Sequence, residues 1–110
     1  MPFSLEASVN EPVAVVTLAG ELDAAAAPAL RDAVTDLVGR DSINTLVLEM
    51  SGLSFMASAG LRVLVFAKQK LGQGTELIIA GAQASVVETI ELTGFHHSVA
   101  MVDRYEPSAS

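Results

Sequence analysis

The sequence contains no cysteine and no tryptophan, and only 5% of its 110 residues are aromatic. Without cysteine the chain forms no disulfide and offers no thiolate to a metal ion. Residues 1–6 lack the basic and apolar regions of a signal peptide. The apolar runs, such as residues 61–67, are far shorter than a membrane span. These features predict a soluble, cytoplasmic protein that does not insert into a membrane.

Positive charge is also scarce, because six Lys and Arg residues stand against 13 Asp and Glu, giving a net charge of -7. Nucleic acids attract proteins through basic surface that displaces counterions, so this balance argues against nucleic-acid binding. An acidic surface can complement a basic patch on a protein partner, although solubility alone favours the same charge. At this length we expect one hydrophobic core and little room for a catalytic cleft.

What the sequence does have is an alternation of strand and helix patterns. Period-two alternation predicts strands, and apolar residues at helical spacing predict helices. We expect strands at residues 3–9, 13–18, 45–50, 77–80 and 99–102, and helices at about 24–38, 58–71 and 84–92. Ser51 and Gly52 are interpreted as a turn after the third strand. The order predicts an α/β fold: a mixed, mainly parallel sheet with an N-terminal antiparallel hairpin, in one domain over 1–106 with a flexible tail at 107–110.

Ser58 stands where a predicted strand leads into a predicted helix, and three roles fit that position. A hydrolase nucleophile elbow requires G-x-S-x-G, but Met56 replaces the first glycine and the only histidines are the adjacent His96 and His97. A helix N-cap suits serine well. A phosphate on Ser58 is the third role, since it would lie at the positive end of the helix dipole. Asp23 is a plausible cap for the preceding helix.

The remaining motifs do not indicate a cofactor or a metal ion. Residues 72–74, Gly-Gln-Gly, lack the third glycine of a dinucleotide fingerprint and follow a helix, so they are interpreted as a helix stop. His96 and His97 have no further ligand at helical spacing, and adjacent histidines rarely converge on one ion. We therefore expect no cofactor, no metal site and no enzymatic activity.

Three linked stretches resemble a known family: VTLAGELDAAAAPALRDAV at residues 16–34, LVLEMSGLSFMASAGLRVLV at 46–65 and ELTGF at 91–95. The chain is similar to the STAS domain family, and most closely to the stand-alone bacterial anti-sigma-factor antagonists. The resemblance implies a sheet with helices on one side. It also implies a partner-switching role. The unphosphorylated protein binds an anti-sigma factor that has serine kinase activity, and phosphorylation ends this binding. A serine phosphatase then removes the phosphate. In such a system the protein regulates sigma-factor-dependent transcription.

The resemblance assigns the phosphorylation site to Ser58 and an acidic position near the partner-binding face to Asp23. The predicted partner-binding residues are Asp23, Ser54, Met56, Ala57, Ser58, Ala59, Gly60 and Arg62. The family commonly carries an aspartate directly before the phosphorylated serine, whereas this chain has Ala57. That difference motivates the alternative, a STAS accessory subunit of a membrane transporter or signalling assembly in which Ser58 is not modified.

Overall fold

The first two strands form the antiparallel hairpin that the alternating sequence predicts. In the computed structural model, which describes residues 2–71 and 74–105, β1 (Ser4–Asn10) pairs with β2 (Val13–Leu22). Asn10 lies opposite Val13, so Glu11 and Pro12 alone make the turn between the strands. A loop of two residues brings the strands together directly, which is the usual hairpin connection.

The rest of the chain alternates helices with parallel strands. After β2 come α1 (Ala27–Val38), β3 (Thr45–Met56), α2 (Ser58–Leu71), β4 (Glu76–Ala80), α3 (Ala84–Leu92), a short 3-10 helix (Phe95–His97) and β5 (Ala100–Val102). The sheet order is β1-β2-β3-β4-β5, and all pairs from β2 to β5 are parallel. The predicted mixed α/β sheet with an N-terminal hairpin is confirmed.

All three helices pack on one face of the sheet. Val16, Leu48 and Ile79 lie side by side across β2, β3 and β4 on that face, and all three are fully buried. They share one core cluster with buried side chains of α1, α2 and α3. Their chain neighbours point to the opposite, open face, because side chains alternate along a strand. No helix within residues 2–71 and 74–105 is long and apolar enough to cross a membrane.

Strand β3 is longer than predicted, and the expected turn at Ser51 and Gly52 is wrong. The strand continues to Met56 beside β2, with two irregularities in the register of the pair. The Ser51 amide donates to the Glu49 carboxylate at 2.8 Å, and Ser51 has no partner residue in the described register with β2, as expected where a bulge interrupts a ladder. Ser51 and Gly52 are exposed and are turn residues by type, so the sequence predicted a turn there. The strand in fact continues with the buried Leu53.

Two predictions fall partly outside the described residues. The helix stop at 72–74 follows α2, which ends at Leu71, but residues 72 and 73 are not among those described. The tail at 107–110 also lies outside them, so the domain boundary stays a prediction.

Candidate functional site

The site is built where β3 passes directly into α2 at the carboxyl edge of the sheet. The Ala57 amide donates to the Leu22 carbonyl at 2.9 Å and so ties this junction to the end of β2. The Ala57 carbonyl in turn accepts hydrogen bonds from the amides of Gly60 (2.9 Å) and Leu61 (3.2 Å). Ser58 is consequently the first residue of α2.

This geometry corrects the predicted capping role of Ser58. The residue before the first helical position is Ala57, which has no side-chain acceptor, so Ser58 lies one position too far along the chain to be the N-cap. The Ser58 side chain is exposed, and its hydroxyl makes no hydrogen bond within the described residues. The amides of Ser58 and Ala59 also have no acceptor there. The first turn of α2 thus presents a free hydroxyl and free N–H donors, with no acidic residue beside them.

Met56 and Gly60 lie in the core, which corrects their predicted place on the partner-binding surface. Met56 is 2% exposed. A Cβ built on Gly60 would lie 2.8 Å from Cγ and Cδ2 of Leu22, so the helix backbone itself packs against the end of β2. These two residues fix the start of α2 against the sheet, which leaves the exposed Ser58 on the outer side.

Asp23 binds the turn that leads into α1. Its Oδ1 accepts a hydrogen bond from the Ala26 amide at 2.9 Å, and its backbone carbonyl accepts from Ala26 and Ala27. This is the bonding expected of a capping aspartate, although α1 itself begins at Ala27 behind Ala26. The Asp23 side chain is exposed and its second oxygen has no partner in the described part of the chain. Capping therefore leaves one carboxylate oxygen available to a partner.

The end of β3 carries one candidate contact residue that the sequence reasoning missed. Phe55 is 46% exposed, the largest apolar side chain on this edge of the strand. Its neighbour Ser54 is exposed, but the Ser54 hydroxyl donates to the Gly20 carbonyl at 3.1 Å and so holds β3 to β2. No local signal identifies it, because Phe55 is as apolar as the buried Leu53 and Met56 near it in the sequence.

Two arginines border a groove between α1 and α2 next to Ser58. The groove has a volume of about 300 Å³ and is lined by small and apolar side chains that include Ala59 and Val63. Arg62, one helical turn after Ser58, is exposed and has no ion-pair partner in the described residues. Arg31 of α1 stacks over the Phe66 ring, with its guanidinium carbon 4.2 Å from the ring centroid. Arg31 was not predicted, because only the packing of the two helices places it beside Arg62.

Residues 2–71 and 74–105 form neither a nucleophile elbow nor a cluster of metal-ligating side chains. No residue other than glycine has a positive φ there, whereas a nucleophile elbow holds its serine on a strained turn. No hydrogen bond joins Ser58 to a histidine in that part of the chain. No three His, Asp or Glu side chains in it are grouped closely enough to hold a metal ion.

Comparisons with known proteins agree on one family. The sequence model of the STAS domain matches residues 4–108. The anti-sigma-F factor antagonist RsfB of Mycobacterium tuberculosis is 32% identical over 82 residues, which are 74% of this chain and 66% of that protein. The matched region thus spans slightly less than two thirds of this relative.

Solved structures show the same fold. An anti-sigma factor antagonist from Mycobacterium paratuberculosis superimposes with a TM-score of 0.85 at 29% identity, covering 93% of this chain and 86% of that one. The Bacillus cell fate determinant SpoIIAA in its phosphorylated form gives a TM-score of 0.71 at 22% identity, covering 91% and 90%. At that identity SpoIIAA supports the fold alone.

Proposed function

The chain belongs to the STAS domain family, and we propose that this protein is an anti-sigma-factor antagonist that works by partner switching. With Ser58 unmodified it binds an anti-sigma factor that has serine kinase activity, and a sigma factor is thereby freed for transcription. Phosphorylation of Ser58 ends this complex, and a serine phosphatase restores the binding form. The protein itself acts in the cytoplasm as a binding module without cofactor, metal ion or catalysis.

The observation that carries this proposal is the state of the Ser58 hydroxyl. It is exposed, makes no hydrogen bond within the described residues and stands at the first position of α2. Its neighbours Ala57 and Ala59 are small, so a kinase can reach the oxygen without displacing a side chain. Modification there removes no hydrogen bond that the fold needs.

A phosphate at this position would be accommodated by the protein and still alter its surface. It adds about -2 charge and three acceptor oxygens, beside the positive end of a helix dipole. The free amides of Ser58 and Ala59 lie in the first turn of α2, and the cationic Arg62 lies in the next turn. The phosphate therefore changes the charge of the docking surface without unfolding α2, which is the property that a reversible switch requires.

The docking surface that we propose combines the exposed and half-buried predicted residues with the two features that the structure adds. It comprises Asp23, Ser54, Ala57, Ser58, Ala59 and Arg62, together with Phe55 and the groove between α1 and α2. Phe55 supplies an aromatic anchor of the kind that dominates binding energy at protein interfaces. Arg31 and Arg62 make the groove locally positive, although the protein as a whole has a net charge of -7. At the groove they therefore favour an acidic segment of the partner.

The test is phosphorylation and binding with purified anti-sigma factors encoded in the genome of the same organism. We expect one of them to bind the unmodified protein and to transfer the γ-phosphate of ATP to Ser58, as mapped by tandem mass spectrometry. Ser58→Ala should bind without being phosphorylated, whereas Ser8→Ala, a serine exposed on β1, should behave like the natural protein. Binding by none of the anti-sigma factors, or phosphate on another serine, would contradict the proposal.

Ala57 favours one alternative, in which the protein is an accessory subunit of a transporter or signalling assembly. A kinase that requires a carboxylate before the serine would not modify this chain, and Ser58 would then serve only as an exposed helix residue. Intact-mass spectrometry of the protein from its native host separates the two functions. A phosphate on Ser58 supports switching, and an unmodified chain that copurifies with a transporter under every growth condition supports the accessory role.

A further inference from the structure

Strand β1 forms one edge of the sheet. No other strand of residues 2–71 and 74–105 pairs with its outer side, and residues 6–10 are all exposed. At such an edge the backbone N–H and C=O groups of alternate residues point outward without a partner in the sheet. β1 therefore offers a backbone template, seven residues long, on which a further strand can pair.

Proteins usually protect a sheet edge of this length, and β1 carries little of the usual protection. Its sequence, SLEASVN, contains neither lysine nor proline, and its single charged residue is Glu6. It pairs with β2 residue for residue, so no bulge twists this edge away. The opposite edge strand, β5, has only three residues and is followed by the charged Asp103. Of the two edges, β1 is the one suited to pairing.

The two faces of β1 differ in chemistry. Leu5, Ala7 and Val9 lie on the helix side of the sheet, because each is paired with a core residue of β2. Val9 is nonetheless 37% exposed, so the apolar row extends beyond the cover of the helices. The open face of the strand carries its polar residues, which are Ser4, Glu6, Ser8 and Asn10. A strand that extends the sheet here should alternate in the same way.

A second copy of β1 fits this edge in an antiparallel register centred on Ala7. Ala7 then lies opposite Ala7 of the second copy, and Leu5 lies opposite its Val9. Glu6 lies opposite the Ser8 of the second copy, so no like charges face each other. Directly opposite residues of an antiparallel pair share one face, so apolar residues meet apolar ones and polar residues meet polar ones. Every residue of the strand has a partner in this register.

The neighbouring registers are less favourable. A register centred between two residues would bring the polar face of one copy to the apolar side of the other. A register centred on Glu6 would place the two Glu6 carboxylates directly opposite each other, which is destabilising. A register centred on Ser8 would leave Ser4 and Leu5 of both copies unpaired. The sequence of β1 thus complements itself best about Ala7.

We propose that the protein forms a homodimer in which the β1 strands of two copies pair antiparallel and join the two sheets into one. The same strand is used by both copies, so the contact closes at two. Pairing along one strand edge is small beside standard interfaces, so the dimer is reversible, with a dissociation constant on the order of 100 µM. β1 contributes no residue to the docking surface around Ser58, and each copy keeps its own.

The test is sedimentation equilibrium from about 10 µM to about 1 mM, with amide hydrogen exchange followed by NMR at both ends of that range. We expect a monomer–dimer equilibrium and slower exchange of alternate β1 amides at the higher concentration. Ser8→Lys sets a lysine opposite Glu6 in both symmetry-related pairs and should tighten the dimer about fivefold. Ser8→Glu sets like charges there and should weaken it about fivefold.

Ser4→Lys is the matched control. It makes the same substitution on the same face of β1, with the same change in net charge, but it lies opposite Asn10 of the second copy. Its dissociation constant should differ from that of the natural protein by less than about twofold.

A protein that stays monomeric up to about 1 mM would overturn the proposal, and that measurement needs no variant. Equal effects of Ser8→Lys and Ser4→Lys, or tighter association of Ser8→Glu, would overturn it as well. A dimer that leaves the exchange of the β1 amides unchanged would place the contact elsewhere and contradict the proposal. The same spectra report whether each variant is folded. None of these results depends on an anti-sigma factor, so the proposed switch keeps its own test.

Discussion

Gly60 leaves no room for a side chain where the first turn of α2 meets β2. An added Cβ would lie 2.8 Å from two carbons of Leu22 and 3.0 Å from Cγ of Met56, both buried. We expect Gly60→Ala to lower the free energy of unfolding by about 1–3 kcal/mol, because overpacking outweighs the higher helix propensity of alanine. Urea unfolding followed by circular dichroism measures this.

Gly39 is the matched control, since its nearest contact for an added Cβ is the Thr35 carbonyl at an ordinary 3.5 Å. Its φ of -79° suits any residue. Gly39→Ala should leave stability unchanged or raise it by up to about 1 kcal/mol. An equal loss in both variants would show that the close approach of α2 to β2 is not what constrains Gly60.

Phe55 is the residue at which binding and stability should separate most clearly. Its ring is 46% exposed, so Phe55→Ala should lower stability by only about 1 kcal/mol or less. As an aromatic anchor beside Ser58 it should weaken binding of the anti-sigma factor about tenfold or more. Biolayer interferometry checks the affinity. Val9→Ala, at a similarly exposed apolar residue on β1, should bind normally; equal weakening there would remove Phe55 from the proposed surface.

Ser58 shows what a sequence pattern resolves at the scale of one residue. The apolar spacing of α2 and the preceding strand located the junction correctly. It did not resolve whether Ser58 or Ala57 is the N-cap, since serine is the better cap and nothing local opposes it. The hydrogen bond from Ala57 to Leu22, a contact between distant parts of the chain, determines the answer. At the N-cap position the Ser58 hydroxyl would be hydrogen-bonded to the helix, whereas one position later it is free.

At the scale of elements, α1 depends on a cap that lies before the helix itself. Asp23→Ala removes the acceptor of the Ala26 amide and should cost about 1 kcal/mol in urea unfolding. Asp23→Asn keeps an oxygen at that place and should retain most of the stability. If Asp23 also contacts the partner through its charge, both variants should weaken binding to a similar extent. Asn binding as tightly as the natural residue would make Asp23 a cap alone.

The elements that the sequence predicted well are those whose periodicity extends over several turns. All three helices appear where apolar spacing placed them, and α3 matches at both ends. The second half of β3 was missed because Ser51 and Gly52 are turn residues by type, and only the pairing of Gly52 and the residues after it with β2 continues the strand. The 3-10 helix Phe95–His97 was missed because three residues are too few to show a period.

At the scale of the whole molecule, the site contains residues that the local sequence identifies and residues that only the packing of helices and sheet brings to it. Ser58 and Arg62 were identifiable because one turn of one helix joins them. Arg31 and the exposure of Phe55 depend on how α1, α2 and the sheet pack, which no local pattern encodes. Met56 was assigned to the surface as part of the stretch from Ser54 to Gly60, whereas the fold turns its side chain into the core.

The one-sided packing of the sheet predicts opposite results for two adjacent isoleucines of β4. Ile79 is fully buried in the core under the helices, whereas Ile78 lies half-buried on the open face beside Val47 and Ala100. Ile79→Thr places an unpaired hydroxyl in an apolar core and removes packing, so it should lower the free energy of unfolding by roughly 2–4 kcal/mol. Ile78→Thr keeps a β-branched residue near solvent and should cost about 1 kcal/mol or less.

Urea unfolding of the two variants at two protein concentrations measures the difference between the faces. The natural protein provides the baseline, and the substitution is chemically identical at both positions. A loss at Ile78 as large as that at Ile79 would mean that the open face is covered in solution. If that loss also grew at the higher protein concentration, a second copy of the chain would be the cover, because association stabilises by mass action. We expect a larger loss of unfolding free energy in Ile79→Thr than in Ile78→Thr, independent of protein concentration, because all the helices lie on one side of the sheet.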